Sequence, residues 1–304
     1  MNDMNEHAVF LSGDNFFDTP NYHISSVYGD YLRRPSKYML DYTFLEHYHN
    51  FSEMVFITEG NTIQTINGID YPVQSGDLFL IEGNTTHCFH PGTKFCLFNL
   101  LFDKMTLPLP WQELQYLPGY TMFFETEPRV RKPDTFRNHL RLNEYDSVQL
   151  AEKLVQLANF IRFKGNPYSR IEGLQLLLEI ITDISKRYER HFENTDSPFP
   201  KINNAIVLMK KKFHRVITLE ELASVAGLSE RSFTRQFKII TQDTPIGYLM
   251  KIRLEHAKDY LENTSLSISE IAFKCGFTDS NYFTKFFKTQ CKVSPRQWRK
   301  NSRG

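Results

Sequence analysis

Between Thr218 and Lys288 the chain writes one short pattern twice, and that repetition constrains its fold more than any other feature. The first copy opens on Thr218-Leu219-Glu220-Glu221, the spacing of a capping box, in which a hydroxyl takes a free amide of the first turn and a carboxylate reaches back to the cap. Leu222, Ala223 and Ala226 recur at helical spacing, Gly227 supplies a turn, Leu228 an apolar plug and Ser229 a second cap. In the helix that follows, Phe233, Phe237 and Ile240 share one face, while Arg231, Thr234, Arg235 and Lys238 share the opposite one. The second copy has Ser267-Ile268-Ser269-Glu270 as its box and Ile271, Ala272 and Cys275 as its core, with Gly276 for the turn, Phe277 for the plug and Asp279 for the cap. Phe283 and Phe287 face inward there, and Ser280, Asn281, Thr284, Lys285 and Lys288 face out. Thr244-Pro245 starts a connecting helix with Ile246, Leu249, Ile252, Ala257 and Leu261 as its apolar positions. Helix, glycine turn, then a helix with a polar-basic outer stripe is the helix-turn-helix pattern. Small helical domains often imitate one instance; two in register predict an all-α unit that grips duplex DNA.

Charge points the same way. Residues 201–304 carry 19 Lys and Arg against 9 Asp and Glu, whereas residues 1–200 carry 17 against 26, so the overall +1 conceals a basic segment joined to an acidic one. A basic segment suits a polyanion, and an acidic one implies a different task. The change of sign falls at His191–Pro200, which lacks periodicity and holds two prolines. We therefore expect two domains, residues 1–195 and 196–304.

The first of them reads as strands from about Tyr38 to Phe102. The runs MVFIT, TIQTI, DLFLI and KFCLFNLLF are rich in aromatic and β-branched residues, and turn signals separate them. Asn67-Gly68 is a two-residue hairpin signal, because both positions of a type I′ turn need positive φ. Strands this closely spaced, with no helix between them, predict a barrel or sandwich. Helical period takes over near Asp146, with Leu150, Leu154, Leu157 and Ile161 on one stripe, followed by Leu174, Leu178, Ile181 and Tyr188 on a second. Stripes this narrow suit pairing with a second subunit through residues 146–190, or packing on the barrel.

The residues from Ile217 to Arg299 resemble the DNA-binding domain of the AraC/XylS family across its whole length. The resemblance rests on Ile268-Ser269-Glu270-Ile271-Ala272-Phe273-Lys274-Cys275-Gly276-Phe277, on Asn281-Tyr282-Phe283 through Phe286-Phe287-Lys288, and on Ser294-Pro295-Arg296-Gln297-Trp298-Arg299. It implies a transcription regulator whose two recognition helices enter neighbouring faces of the major groove. The DNA-contact candidates it carries over are Arg231, Thr234, Arg235 and Lys238 in one helix and Ser280, Asn281, Lys285 and Lys288 in the other. Arginine can fork onto guanine and asparagine onto adenine, while lysine alone suits phosphate equally.

Upstream, His47-Tyr48-His49-Asn50-Phe51-Ser52-Glu53 with Gly60, and Gly76-Asp77 with His87, resemble the two cupin motifs. The resemblance implies a cupin-like barrel and, in metal-binding cupins, His47, His49, Glu53 and His87 as ligands to a divalent ion. Three positions depart from the pattern, Asp41, Glu82 and Pro91, and they favour an organic effector held by the same four residues over a metal or cofactor. Tyr48, Phe51, Phe79 and Phe89 are candidates for an aromatic wall beside it, and Glu53 and Glu82 argue for an uncharged sugar unless Arg33 or Arg34 reaches in. Narrower words of the sequence resemble rhamnose-operon activators. The fold expected is thus an N-terminal all-β cupin-like barrel followed by helices, then a C-terminal all-α double helix-turn-helix. The function expected is a non-enzymatic activator of carbohydrate genes, with DNA, a sugar-like effector and RNA polymerase as partners. The alternatives are a metal-dependent cupin enzyme fused to a DNA-binding domain, and an architectural DNA-binding protein. Four cysteines without metal-ligand spacing, no basic-apolar leader and no membrane-length apolar run point to the cytoplasm.

If residues 201–304 carry the DNA-binding surface, their affinity for duplex DNA should fall by orders of magnitude over a modest rise in salt, as counterions cease to be released. Fluorescence anisotropy at stepped salt checks this, and a flat salt response would contradict it.

Overall fold

The aromatic and β-branched runs of the N-terminal half pair into one sheet, nine-stranded among the described residues. The computed structural model describes residues 8–17, 22–32, 43–91, 93–130, 139–162, 166, 168–193 and 195–303. Arg33, Arg34, Tyr38 and Asp41 lie outside them. The chain divides into two compact units, Met1–Asn194 and Thr195–Gly304.

The strands of the first unit are β1 (Val9–Leu11), β2 (Ile24–Asp30), β3 (His47–His49), β4 (Ser52–Ile66), β5 (Ile69–Gln74), β6 (Asp77–Ile81), β7 (His87–Phe89), β8 (Lys94–Phe102) and β9 (Leu140–Arg141). Strand β4 is the hub, pairing antiparallel with β5, β6, β7 and β8. The sequence runs MVFIT and TIQTI, expected as separate strands, both belong to it. A bulge between Ile57 and Glu59 bends the strand instead of ending it. Asn67 and Gly68, at φ 50° and 74°, form the expected hairpin turn.

Alternation along each strand decides what enters the interior. Val55 and Ile57 of β4, Phe79 and Ile81 of β6, and Phe95 and Leu97 of β8 form one apolar cluster, none more than 1% exposed. The next inward positions toward the other end of the strands are polar: Glu53 on β4 and Asn99 on β8. Short helical turns follow at Trp111–Leu114, Pro118–Tyr120 and Thr121–Thr126, the last a π-turn that buries Phe123 and Phe124. Helix α1 (Glu144–Arg162) packs on α2 (Ser169–His191) and against β2 and β8.

Leu150, Leu154 and Leu157 are spent on that packing, at 7%, 0% and 0% exposure, so the stripe that suggested a second subunit faces this unit's own core. On α2 the buried line runs through Leu177, Ile181, Ile184 and Tyr188, with Leu174 and Leu178 half-buried at its edge. The exposed large hydrophobic residues of α1 are instead Tyr145, Val148 and Val155.

The second unit begins with a helix that the prolines disguise. Ser197 caps α3 (Pro198–Lys212), accepting the Phe199 amide, and a proline at the first helical position needs no amide of its own. The aperiodic stretch is therefore shorter than His191–Pro200. After α3 come α4 (Leu219–Val225), α5 (Glu230–Thr241), α6 (Pro245–Asn263), α7 (Ile268–Lys274), α8 (Ser280–Cys291) and α9 (Pro295–Arg303). Phe233 and Phe237 of α5 enter one core, and Phe283 and Phe287 of α8 a second, all at 0% exposure. The capping box is complete at Ser267 and Glu270 but half-made at Thr218, because Glu221 turns to pair with the guanidinium of Arg215. Ile246, expected among the apolar positions of α6, is 52% exposed.

Each copy turns on a glycine at positive φ, 62° for Gly227 and 81° for Gly276, but their surroundings differ. A Cβ at Gly227 meets nothing within 4 Å, whereas one at Gly276 lies 2.4 Å from the Phe213 carbonyl oxygen. Gly227→Ala should therefore cost about 1 kcal/mol, the left-handed penalty alone, and Gly276→Ala more than about 2 kcal/mol. Urea melts of the two full-length variants check the order; equal losses would contradict it.

Candidate functional site

A cavity of about 670 Å³ opens at the polar end of the sheet, lined from β2, β3, β4, β7 and β8 and from the end of α1. The structure brings His47, His49, Glu53 and His87 together on it, all buried. Spacing explains the convergence. His47 and His49 lie two apart on β3, so both face one side, and His47 stands directly across from His87 on β7.

Each imidazole is anchored through Nδ1, which lies 2.8 Å from the Leu45 carbonyl for His47, 2.8 Å from that of Phe51 for His49, and 3.0 Å from that of Thr85 for His87. With Nδ1–H donating to a carbonyl, Nε2 is left to face the cavity. His49 Nε2 and His87 Nε2 sit 3.0 and 3.1 Å from one oxygen of Glu53, and the Asn99 amide donates to the other. Burial pushes the Glu53 carboxyl up, but the hydrogen bonds and charge of His49 and His87 outweigh it and hold the group well below the usual carboxylate range. Burial first, then the facing His87 ring, bring His47 down to about 4.

Donor atoms of His47, Glu53 and His87 lie within 4.8 Å of one another, and imidazoles with a carboxylate are a donor set that suits a first-row divalent ion. They would hold such an ion with His49 and Asn99 orienting the carboxylate, and the ion would offer a Lewis-acid contact to a ligand hydroxyl.

Of the expected aromatic wall, Phe51 and Phe89 line the cavity. Phe79 is sealed in the apolar cluster below, and Tyr48 points away to pack on Phe10 with ring centroids 5.2 Å apart. Glu82 lies off the cavity lining, bound by Lys104 at 2.9 Å and by the Ser52 hydroxyl at 3.1 Å. Sequence reasoning missed Asn99 and Arg162. Asn99 carried a signal, as the single polar residue between Phe95 and Phe102, where an inward polar group in an apolar strand calls for a partner. Arg162 carried none, being a basic residue in the last turn of a helix.

In the second unit the outer stripes of α5 and α8 are displayed as the spacing predicts. Arg231, Arg235 and Lys238 are exposed on α5 with Thr234 half-buried between them. Asn281, Lys285 and Lys288 are exposed on α8, and Ser280 opens it half-buried behind the Asp279 cap. Among the described residues no ion pair engages these five cations, in contrast to Arg215 and Lys258 nearby, which pair with Glu221 and Glu255. A row of free cations on a helix anchored by two buried phenylalanines can meet phosphates and base edges without first breaking contacts of its own.

Comparison with known proteins agrees with both halves. Residues 32–156 match the model of an AraC-like ligand binding domain, and residues 222–301 that of a helix-turn-helix domain. The chain is 29% identical over 268 residues to the HTH-type transcriptional activator RhaR of Klebsiella pneumoniae, covering 86% of this chain and 89% of that one. It is 27% identical over 256 residues to the HTH-type transcriptional activator RhaS of Enterobacter sp., covering 84% and 87%. A crystal structure of the AdpA DNA-binding domain in complex with a target DNA matches at 28% identity and a TM-score of 0.33, covering 34% of this chain and 93% of that one. No helix among the described residues is long and apolar enough to cross a membrane.

The His47 depression fixes a pH dependence. Unfolding lets this ring take a proton anywhere between its ordinary 6.5 and about 4, which the native state refuses. Its contribution, up to about 3 kcal/mol, is therefore present above pH 6.5 and lost as pH falls toward 4. Thermal melts of the chain with chelator across that range should show the loss, and His47→Phe should make it shallower; identical slopes would contradict the assignment.

Proposed function

We propose that the chain, whose two units match the ligand-binding and helix-turn-helix domains of AraC-type regulators, is an effector-responsive activator of carbohydrate genes that reads DNA with α5 and α8. The observation that carries this reading is the pair of free basic stripes, each on the second helix of a glycine-turned pair and each fixed by two buried phenylalanines. In it Arg235 forks onto a guanine, with Arg231, Thr234 and Lys238 beside it. Ser280, Asn281 and Lys285 serve the second half-site, and Lys288 holds phosphate.

The effector is a small sugar-like molecule in the barrel, bound by His47, His49, Glu53 and His87. The cavity volume falls within the range of small-molecule pockets, and its lining mixes hydrogen-bonding groups with the two rings of Phe51 and Phe89. The Asn99 Oδ1 atom, buried and without a partner among the described residues, offers a waiting acceptor to a ligand hydroxyl. A homodimer through residues 146–190 would use the outward side of α1 at Val148 and Val155, since the leucine stripe is already buried. Activation places RNA polymerase among the partners. An enzymatic reading of the barrel would rest on the His47, Glu53 and His87 donor set alone, whereas the comparisons match ligand-binding and DNA-binding modules.

Two variants test the two halves. Arg235→Ala should cost about 1–3 kcal/mol on the cognate operator and flatten discrimination at one base pair, whereas Lys288→Ala should weaken all sequences alike. Glu53→Gln should reduce effector-dependent activation and leave operator binding without effector unchanged. Equal loss of cognate and scrambled DNA by the arginine variant would overturn its assignment, and a fully inducible Glu53→Gln chain would remove the effector from the barrel.

A further inference from the structure

The charged groups around the barrel cavity are unequally employed. Glu53 is enclosed by His49, His87 and Asn99, and Glu82 is taken up by Lys104 and Ser52 away from the lining. Arg162, the last residue of α1, also lines the cavity. Its side chain is exposed, and among the described residues no hydrogen bond or ion pair holds its guanidinium. Among the described residues the cavity thus presents one free positive charge and no free negative one. This reverses the electrostatics that the sequence suggested, in which Glu53 and Glu82 would repel an acid.

We infer that the effector is a polyhydroxylated carboxylic acid, a sugar acid, whose carboxylate is taken by Arg162 and whose hydroxyls reach the cluster of Glu53, His87 and Asn99. The inference rests on the reading above that the barrel holds the effector, and narrows it. A guanidinium presents paired donors that match a carboxylate edge to edge, and it keeps its charge at any physiological pH. A cation at the mouth of a partly enclosed cavity also draws anions toward it. One such cation matches a single carboxylate better than a phosphate dianion, which would leave charge uncompensated beside Glu53. The polar part of the lining suits hydroxyls, and Leu11, Phe16, Phe51, Phe89 and Leu101 offer apolar and ring surface to the C–H faces of a sugar skeleton. Glu53 and the Nε2 of His47 accept, the unpartnered Asn99 Oδ1 awaits a donor, and the Ser26 and Thr43 hydroxyls can do either.

The test uses the full chain and isothermal titration with four acids, D-galacturonate, D-glucuronate, D-galactonate and D-gluconate, beside D-galactose, D-glucose and glucose 6-phosphate. At least one acid should bind ten-fold or more tighter than its neutral counterpart. Arg162→Gln should weaken that acid about ten- to hundred-fold, the usual worth of a hydrogen bond to a charged group, and Arg162→Lys should keep part of the affinity. Circular dichroism checks that the variants fold. Val27→Trp, which fills the cavity, should abolish binding of the same acid. A neutral hexose or the phosphate ester binding as tightly as the acids, an Arg162→Gln chain with unchanged affinity, or no acid binding at all would each overturn the inference. Acid binding that survives Val27→Trp but fails in Arg162→Gln would instead overturn the barrel reading on which it rests.

Discussion

One carboxylate organises the first unit. Glu53 of β4 gathers the Nε2 atoms of His49 from β3 and His87 from β7, and the amide of Asn99 from β8. It therefore ties four strands at the end of the barrel where apolar packing stops. An ionised group at 6% exposure persists only because those partners replace its water, and removing one of them would strand a buried charge at a cost of several kcal/mol. The imidazoles are in turn fixed by Leu45, Phe51 and Thr85 carbonyls, so no member of the cluster can turn without uncovering another. The other end is sealed by Val55, Ile57, Phe79, Phe95 and Leu97. A cavity can open only on the polar side, which is where it is found.

The second unit is organised by a buried cation. Arg253 of α6 donates from Nε to the Phe213 carbonyl at 2.9 Å and from NH2 to that of Arg215 at 2.8 Å, so the connecting helix is fastened to the end of α3. A Cβ at Gly276 would lie 2.8 Å from the same guanidinium, which brings the second copy's turn against the end of α3. Helix α6 also feeds both cores, Leu249 in one and Leu254, Ala257 and Leu261 in the other. The two recognition helices are consequently held by a shared rigid element, and a protein that must match two successive groove faces needs that fixed spacing.

What the sequence made legible follows from period. Phe233 and Phe237, or Phe283 and Phe287, stand four apart beside basic residues, and a helix allows only one arrangement of such a pattern. His47 and His49 were legible because strand alternation sends both to one side, and Glu53 because it belongs to the motif that the stretch resembles. Asn99 and Arg162 come from segments far along the chain and meet the cluster only once the sheet has closed, which no local pattern encodes. Helix α3 was obscured by Pro198 and Pro200, whose usual meaning as breakers reverses in a helix's first turn. The leucine stripe of α1 was read correctly as apolar but its partner stayed open, since a seam against α2 and one against a second copy have the same spacing.

The distribution of paired and free charge separates the two tasks more sharply than net charge does. In the first unit Lys104, Arg141, Lys153 and Arg187 are each ion-paired. Such pairs at a surface contribute little to stability, but they remove positive charge that would attract polyanions indiscriminately. In the second unit the cations of α5 and α8 are left free, an arrangement whose self-repulsion is relieved only when a polyanion arrives. Two arginines show the contrast in opposite senses. Arg253 is buried and donates to two backbone carbonyls, because its work is to hold helices together. Arg162, unlike those four cations of the first unit, stands free among the described residues, and it does so on the cavity that Glu53, His47 and His87 line.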